Sequence, residues 1–354
     1  MKLNFARNDL SLDGLSAPSE ETLRTQRYSE WHHFTFSDDA AGLCGIVNLA
    51  LSGDVRDPER GRCALSLVTH EAEHGWNGTM NVIGPEEARF AIGSADLYVG
   101  GSSVVFRDGG YDVEASLRDG SVKLNARWQP RAEAIRIENM GGFINTFIVP
   151  RLDVDGEITI AGRRRALSGA LGYHDHNWGA WDWSRDLGWN WGYLLEPGDD
   201  KTAIVFGQVT DATRSTARTE LVLILWRGAK LTHIFLDEAV VLETYGRFEG
   251  AVPRVPGVMA LLTPGRVTSV PERLAVNALD GRDFLRIECH VRDAIQFLVP
   301  HPRGSAHTAV SELVGTYSVR GEIDGAPLSF TRGAFAELAG AGRTIQLPRV
   351  GIGL

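Results

Sequence analysis

Long apolar runs are missing from this chain: Leu221 to Trp226 and Val258 to Leu262 are the longest, far short of the ~20 residues that a membrane helix needs. No transmembrane span is expected, although peripheral membrane contact stays open. Positive charge is in short supply as well. With 36 Lys and Arg against 45 Asp and Glu, the net charge of -9 lacks the footprint that a nucleic-acid backbone requires. The basic cluster Arg163-Arg164-Arg165 reads as a solvated hairpin edge. Cysteine is sparse: Cys44, Cys63 and Cys289, three in 354 residues, make no disulfide framework and read as buried thiols. Met1-Lys2-Leu3-Asn4 opens no apolar secretory segment, so a cytoplasmic location is expected. Helical periodicity is scarce, and Glu20 to Tyr28 is its best candidate.

What is abundant is glycine. Forty glycines and 14 prolines, spread along a chain that is 43% hydrophobic and 23% charged, punctuate short segments able to bury a core. Strands are expected at Trp31 to Phe36, Ser103 to Phe106, Tyr111 to Leu117, Val122 to Trp128, Leu152 to Ile160, Ala203 to Val209, Leu221 to Trp226, Leu285 to His290 and Thr316 to Ile323. Asp108-Gly109, Asp119-Gly120, Asp155-Gly156, Asp280-Gly281 and Asp324-Gly325 read as hairpin turns, where positive φ is required. The fold class is all-β, with antiparallel barrels or barrel-like sandwiches. Gly156-Glu157-Ile158 and Gly321-Glu322-Ile323 repeat at an offset of about 165 residues, the size of one eight-stranded barrel. Two domains follow, 1–185 and 186–354.

Five of the nine tryptophans (Trp178, Trp181, Trp183, Trp189, Trp191) and two of the ten histidines fall between Gly172 and Tyr193. If Tyr173 to Trp178 is a strand, His174, His176 and Trp178 share one face, and Tyr173, Asp175 and Asn177 the other. A tryptophan-rich seam between barrels would use the histidines to satisfy buried carbonyls. A catalytic cavity would use an imidazole or carboxyl to move a proton and indole faces to stabilise positive charge. Imidazoles two apart on a strand also suit zinc. His70-Glu71-Ala72-Glu73-His74 matches the zincin spacing, but Ala64 to Thr69 reads as a strand, Gly75-Trp76-Asn77-Gly78 closes the segment, and no third ligand is evident. His32, His33, His233, His290, His301 and His307 show no ligand spacing. No metal or other cofactor is therefore expected.

Tyr173-His174-Asp175-His176-Asn177-Trp178-Gly179 resembles the His-Asp-His-Asn-Trp-Gly signature of the carotenoid 1,2-hydratase (hydroxyneurosporene synthase) and AttH group of lipocalin-like proteins. Fungal Diels-Alderases of decalin biosynthesis and tocopherol cyclases are more distant relatives of similar architecture. Glu30-Trp31-His32-His33-Phe34 resembles the opening strand of the group's first barrel. Asp96-Leu97-Tyr98-Val99-Gly100-Gly101 with Gly110-Tyr111-Asp112-Val113 resembles its middle hairpin, and Thr331 to Leu338 the closing strand of the second barrel. The resemblance implies two tandem lipocalin-like (calycin) barrels that bind or convert hydrophobic terpenoid or polyene molecules. The group's hydratases carry a Tyr-x-Asp pair on the strand after the signature. Here the counterpart is Phe206-Gly207-Gln208, a neutral amide in place of an acid, which argues against hydration and suits polarising a carbonyl during cyclisation.

The expected site therefore comprises His174, Asp175, His176, Trp178 and Gln208 as catalytic groups, with Tyr173, Trp181, Trp183, Trp189, Trp191 and Phe206 against substrate. The expected function is a cofactor-independent cyclase, isomerase or hydratase of secondary metabolism acting on a hydrophobic olefinic small molecule. A noncatalytic carrier of hydrophobic ligands is the alternative, and a zinc hydrolase built on His70, Glu71 and His74 a more distant one.

Overall fold

The computed structural model describes residues 2–4, 9–183, 185–198, 201–215, 217, 219, 221–256, 269–300 and 307–341. Val258 to Leu262 and His301 lie outside the described residues. Among those described, strands from Lys2–Asn4 to Arg163–Ala180 form a 13-stranded sheet, and strands from Gly188–Leu195 to Ala326–Ala341 a 10-stranded one. Pairing is antiparallel except that the two-residue strand Arg254–Val255 runs parallel to Asp283–Pro300. The chain passes from one sheet to the other between Ala180 and Gly188.

Both sheets follow one strand order. In the first, Tyr28–Asp38, Leu43–Gly53, Gly61–Glu71 and Gly75–Ile83 lie side by side, and the final strand Arg163–Ala180 pairs with the first of them. In the second, Gly188–Leu195, Thr202–Thr210, Val222–Arg227 and Lys230–Phe235 lie side by side, and Ala326–Ala341 pairs with Gly188–Leu195. The Gly-Glu-Ile repeat falls on corresponding strands: one copy lies two residues before the end of Ile144–Ile160, the other ends His307–Ile323, and each of these strands precedes the closing strand of its sheet. The architecture is that of tandem lipocalin-like barrels.

Turn chemistry explains much of this layout. At Asp108-Gly109 φ is 49° and 73°, and at Asp324-Gly325 it is 53° and 73°, so both residues of each two-residue turn take positive φ, as tight hairpins require. Asp155-Gly156 behaves otherwise and corrects the hairpin expectation. It lies inside Ile144–Ile160, where the register with Arg163–Ala180 shifts between Val154 and Gly156. This bulge bends a strand too long to stay flat. Gly156 has φ 151°, and a Cβ there would sit 2.3 Å from the Asn125 carbonyl oxygen. The expected helix is shorter than its pattern. Ser19 caps Glu20–Arg24 by accepting from the Thr22 N–H, but Gln26 turns to φ 56° and Tyr28 enters a strand.

Three apolar cores result. One fills the first barrel around Phe34, Tyr111 and Trp128. A second fills the other barrel around Phe206, Phe235 and Tyr317. The third lies between the sheets and joins Ile148, Tyr173 and Trp181 to Tyr193, Trp226 and Phe335. Removing one such large side chain from water is worth about 1.5–3 kcal/mol. The seam is therefore a packed core in its own right. No helix among the described residues is long and apolar enough to cross a membrane.

Candidate functional site

The strands Tyr28–Asp38 and Arg163–Ala180 are neighbours whose register sets Phe34 beside His174, His33 beside Asp175 and His32 beside His176. Side chains alternate along each strand, so the pair has two faces. Both are buried, because one looks into the first barrel and the other onto the second sheet.

The inner face carries Glu30, His32, His174 and His176, all 0% exposed. Asp13, in the segment ahead of the Glu20–Arg24 helix, reaches between the histidines. Its carboxylate lies 2.9 Å from His174 Nε2 and 2.9 Å from His176 Nδ1, and it accepts from the Tyr111 hydroxyl at 2.6 Å. The other nitrogen of His176, Nε2, sits 2.7 Å from Glu30 Oε1. Glu30 also accepts from the Ser16 N–H at 2.7 Å and from the Tyr28 hydroxyl. Burial opposes charge here, but the hydrogen bonds to Asp13 and Glu30 raise His176 to about 9. In the same way burial works against Asp13, and His174 and His176 nevertheless hold it well below the usual carboxylate range. His32 is pushed well below its ordinary value by burial and by the charge of His176.

Asp13, His32 and His176 offer ligand atoms within 4.8 Å of one another. Asp13 and His176 are hydrogen-bonded to each other, whereas neither ring nitrogen of His32 has a partner among the described residues; the ring geometry nevertheless suits a metal centre poorly. The rings of His32 and His176 stack at 4.3 Å with planes 28° apart, so their in-plane lone pairs run side by side instead of converging. Both nitrogens of His176 are already taken by carboxylates. The zincin-like segment is not helical: His70 and Glu71 close a strand, His70 contacts Asp293 at 3.1 Å, Glu71 pairs with Arg163 and Arg165, and His74 is exposed in the turn. Those two arginines thus brace a buried carboxylate, so the basic cluster is more than a solvated edge.

The outer face is different in character. Tyr173, Asp175 and Asn177 project into the seam beside Trp31 and His33 and meet residues of the second sheet. Tyr173 stacks on Tyr193 at 4.5 Å with planes 6° apart, and the Thr35 hydroxyl donates to the Tyr193 hydroxyl at 2.6 Å. Two adjoining cavities open here, of about 390 Å³ and about 50 Å³, and Trp31, His33, Trp189, Glu312 and Glu337 line both.

Three carboxyls meet at this point. Asp175 accepts from the Tyr173 hydroxyl at 2.7 Å and from the Asn177 amide. Burial, with the charge of Glu337 nearby, still pushes it up to about 8. Glu312 and Glu337 face each other across paired strands. Two like charges directly opposite are unfavourable, and burial raises both, Glu312 the further because of Glu337 beside it. The Trp189 indole N–H donates to Glu337 Oε1, which favours Glu337 as the ionised partner and Glu312 as the one that holds the proton. On the same wall burial and the nearby His174 push His33 down to about 3. At neutral pH a neutral carboxyl and a neutral imidazole thus lie side by side.

Of the residues expected from sequence, Tyr173, Asp175, Trp189, Trp191 and Gln208 line the smaller cavity, and Trp183 the larger. Trp181 is buried in the seam against Trp31. His174, His176 and Trp178 do not line either cavity. They lie on the opposite face, with Trp178 packed on the first barrel's core beneath Arg136. Phe206 faces the second barrel's core. The reason is common to all four: a strand in a barrel wall beside a second sheet buries both faces, and alternation alone does not say which one meets the cavity.

Sequence reasoning assigned no site role to Asp13, Glu30, Trp31, His33, Glu312 or Glu337, although Glu30, Trp31, His33 and Glu337 lie in segments that carry the resemblance. Glu312 carried a usable signal, since Val310, Glu312 and Val314 share one face and the acid interrupts an apolar row.

No protein-family profile matches the chain, and no curated protein sequence does. Solved structures do match in fold. A protein assigned as AttH from Nitrosomonas europaea superposes with TM-score 0.61 at 14% identity, over 93% of this chain and 98% of that one. Kievitone hydratase from Nectria haematococca gives 0.57 at 12% identity, over 93% and 91%. CghA, solved with Sch210972, gives 0.57 at 11% identity, over 97% and 98%. The likeness extends through both barrels, so the chain has the tandem lipocalin-like fold that these proteins share.

Proposed function

We propose that this chain is an enzyme that cyclises, isomerises or hydrates a hydrophobic olefinic molecule of terpenoid or polyene type in the seam cavity, with no cofactor. The observation that carries the reading is the pairing of Asp175 with His33 on one cavity wall. A carboxyl that keeps its proton up to about pH 8 can deliver it to an alkene carbon, leaving a carbocation beside indole faces. A neutral imidazole alongside can take a proton from an adjacent carbon and pass it back to the Asp175 carboxylate, which ends the reaction as an isomerisation or ring closure; capture by water, with the surplus proton of the added water lost to the Asp175 carboxylate, ends it as hydration. Gln208 adds an amide to the same cavity. On the other face of the strand, the Asp13–His174–His176–Glu30 cluster holds the wall in register, so these residues act as positioning groups.

That kievitone hydratase shares this fold supports an enzymatic role. The test is incubation with farnesol, geranylgeraniol and lycopene in turn, with loss of each followed by liquid chromatography and mass spectrometry. Conversion that disappears in Asp175→Asn is expected. Tight, saturable binding without conversion would make the protein a carrier.

A further inference from the structure

The charges at the seam do not balance among themselves. Asp175, Glu312 and Glu337 lie around one pair of cavities, and among the described residues no lysine or arginine forms an ion pair with any of them; the nearby Arg332 is held by Asp39 and the Leu195 carbonyl. His33, on that wall, is neutral, and the two arginines that also line the larger cavity are engaged elsewhere, Arg60 by Asp54 and Arg62 by the Glu59 and Gly61 carbonyls. The Trp189 N–H bond to Glu337 supplies a dipole and no compensating charge. Beside the acids stands an indole cluster: Trp31 stacks on Trp189 at 6.0 Å, and Trp183 meets Trp189 edge-on at 5.5 Å. All three line the larger cavity together with Glu312 and Glu337. A separate feature points to an occupant. Thr146 is 1% exposed and lines the smaller cavity, yet its hydroxyl has no partner.

Taking the seam as the substrate cavity, we infer that it is built to receive positive charge on a hydrophobic molecule: a cationic centre seated against the indoles of Trp31, Trp183 and Trp189 with the Glu312–Glu337 pair as its counter-ion. Indole faces attract cations strongly once both are desolvated, and a buried carboxylate without a basic partner gains most from one. Without a cation the pair lessens its charge by holding a proton on Glu312 beside Glu337. The cavity thus accepts either protons or an organic cation, and a carbocation formed from an alkene and a stable alkylammonium present the same chemistry to it.

An alkylammonium probe separates this inference from the reading beneath it. Octyltrimethylammonium, 1-octanol and octanoate are titrated separately into the full chain, with tryptophan fluorescence and calorimetry as readouts. At least tenfold tighter binding of the ammonium than of the alcohol is expected, with octanoate weakest. Glu337→Gln and, independently, Glu312→Gln should erase most of that preference and leave octanol binding unchanged, which also shows that the variant has folded. Equal binding of ammonium and alcohol would overturn the inference and leave the hydrophobic cavity standing, as would a preference that survives in both variants. Binding of none of the three would sink both the inference and the cavity reading.

Discussion

Replacing Asp13 with asparagine should unfold the first barrel more readily, and the structure sets the scale. The carboxylate receives three hydrogen bonds at 2.9, 2.9 and 2.6 Å from groups that are fully buried. Raising His176 from 6.5 to about 9 corresponds to roughly 3 kcal/mol of preference for the protonated ring, at about 1.4 kcal/mol per pH unit. Breaking a buried ion pair from one side costs about 3–5 kcal/mol. Because Glu30 still holds His176, the lower end is expected for Asp13→Asn, equivalent to a fall in Tm of about 10 °C for a domain of this size. The pH dependence has a definite sign. A histidine raised on folding contributes stability that is complete below its unfolded value of 6.5 and lost as pH rises through about 9. Urea denaturation followed by tryptophan fluorescence should therefore show the full gap between parent and variant at pH 6 and a much smaller one at pH 9.5. A gap under about 1 kcal/mol at pH 6, or one that does not shrink by pH 9.5, would refute the assignment of a charged, buried His176–Asp13 pair.

Asp175→Asn should lower turnover of any converted polyene by ~10². It should also abolish the fall in parent activity as pH rises through about 8, where the carboxyl loses its proton; a variant with normal rates would remove Asp175 as the acid. Activity should survive EDTA, and elemental analysis of protein purified without a histidine tag should find no stoichiometric zinc; one zinc per chain, lost in His176→Ala, would reverse the argument from ring stacking. Gly156→Ala forces a side chain into a bulge where its Cβ would meet the Asn125 carbonyl at 2.3 Å. A loss of about 1–3 kcal/mol is expected in the same urea assay, and an unchanged midpoint would show that the bulge relaxes freely.

Turn chemistry and apolar alternation made the two-barrel architecture legible before any coordinates, since Asp-Gly pairs and short strands depend on local physics. The two Gly-Glu-Ile copies fall on corresponding strands but two residues out of step, since Ile323 ends its strand while Ile158 stops short of Ile160. The candidate site was only half legible. Period-two geometry correctly divided His174, His176 and Trp178 from Tyr173, Asp175 and Asn177, but the cavity meets the second set. Histidines drew attention because imidazoles so often do chemistry, whereas here His176 is locked between two carboxylates and His174 between a carboxylate and the His33 carbonyl. Glu312 and Glu337 lie about 140 to 160 residues from the signature and reach it only through pairing of the closing strands, a long-range fact that no local pattern carries. Asp13 was hidden for the opposite reason: a lone aspartate in an irregular segment looks like surface until a buried partner is seen.

The shared strand order of the two sheets has a consequence for how such a protein can change. Two copies of one unit, facing each other in a single chain, form in effect a dimer whose partners can never part and no longer need to be alike. In such a fused pair one half can drift while the other preserves the frame. Here the closing strand of the first half presents an aspartate beside a histidine, and that of the second a glutamate beside a tryptophan. A symmetric homodimer would have to place identical groups on both sides of its ligand. Fusion lifts that constraint, and an asymmetric molecule can then meet acid on one side and aromatic surface on the other.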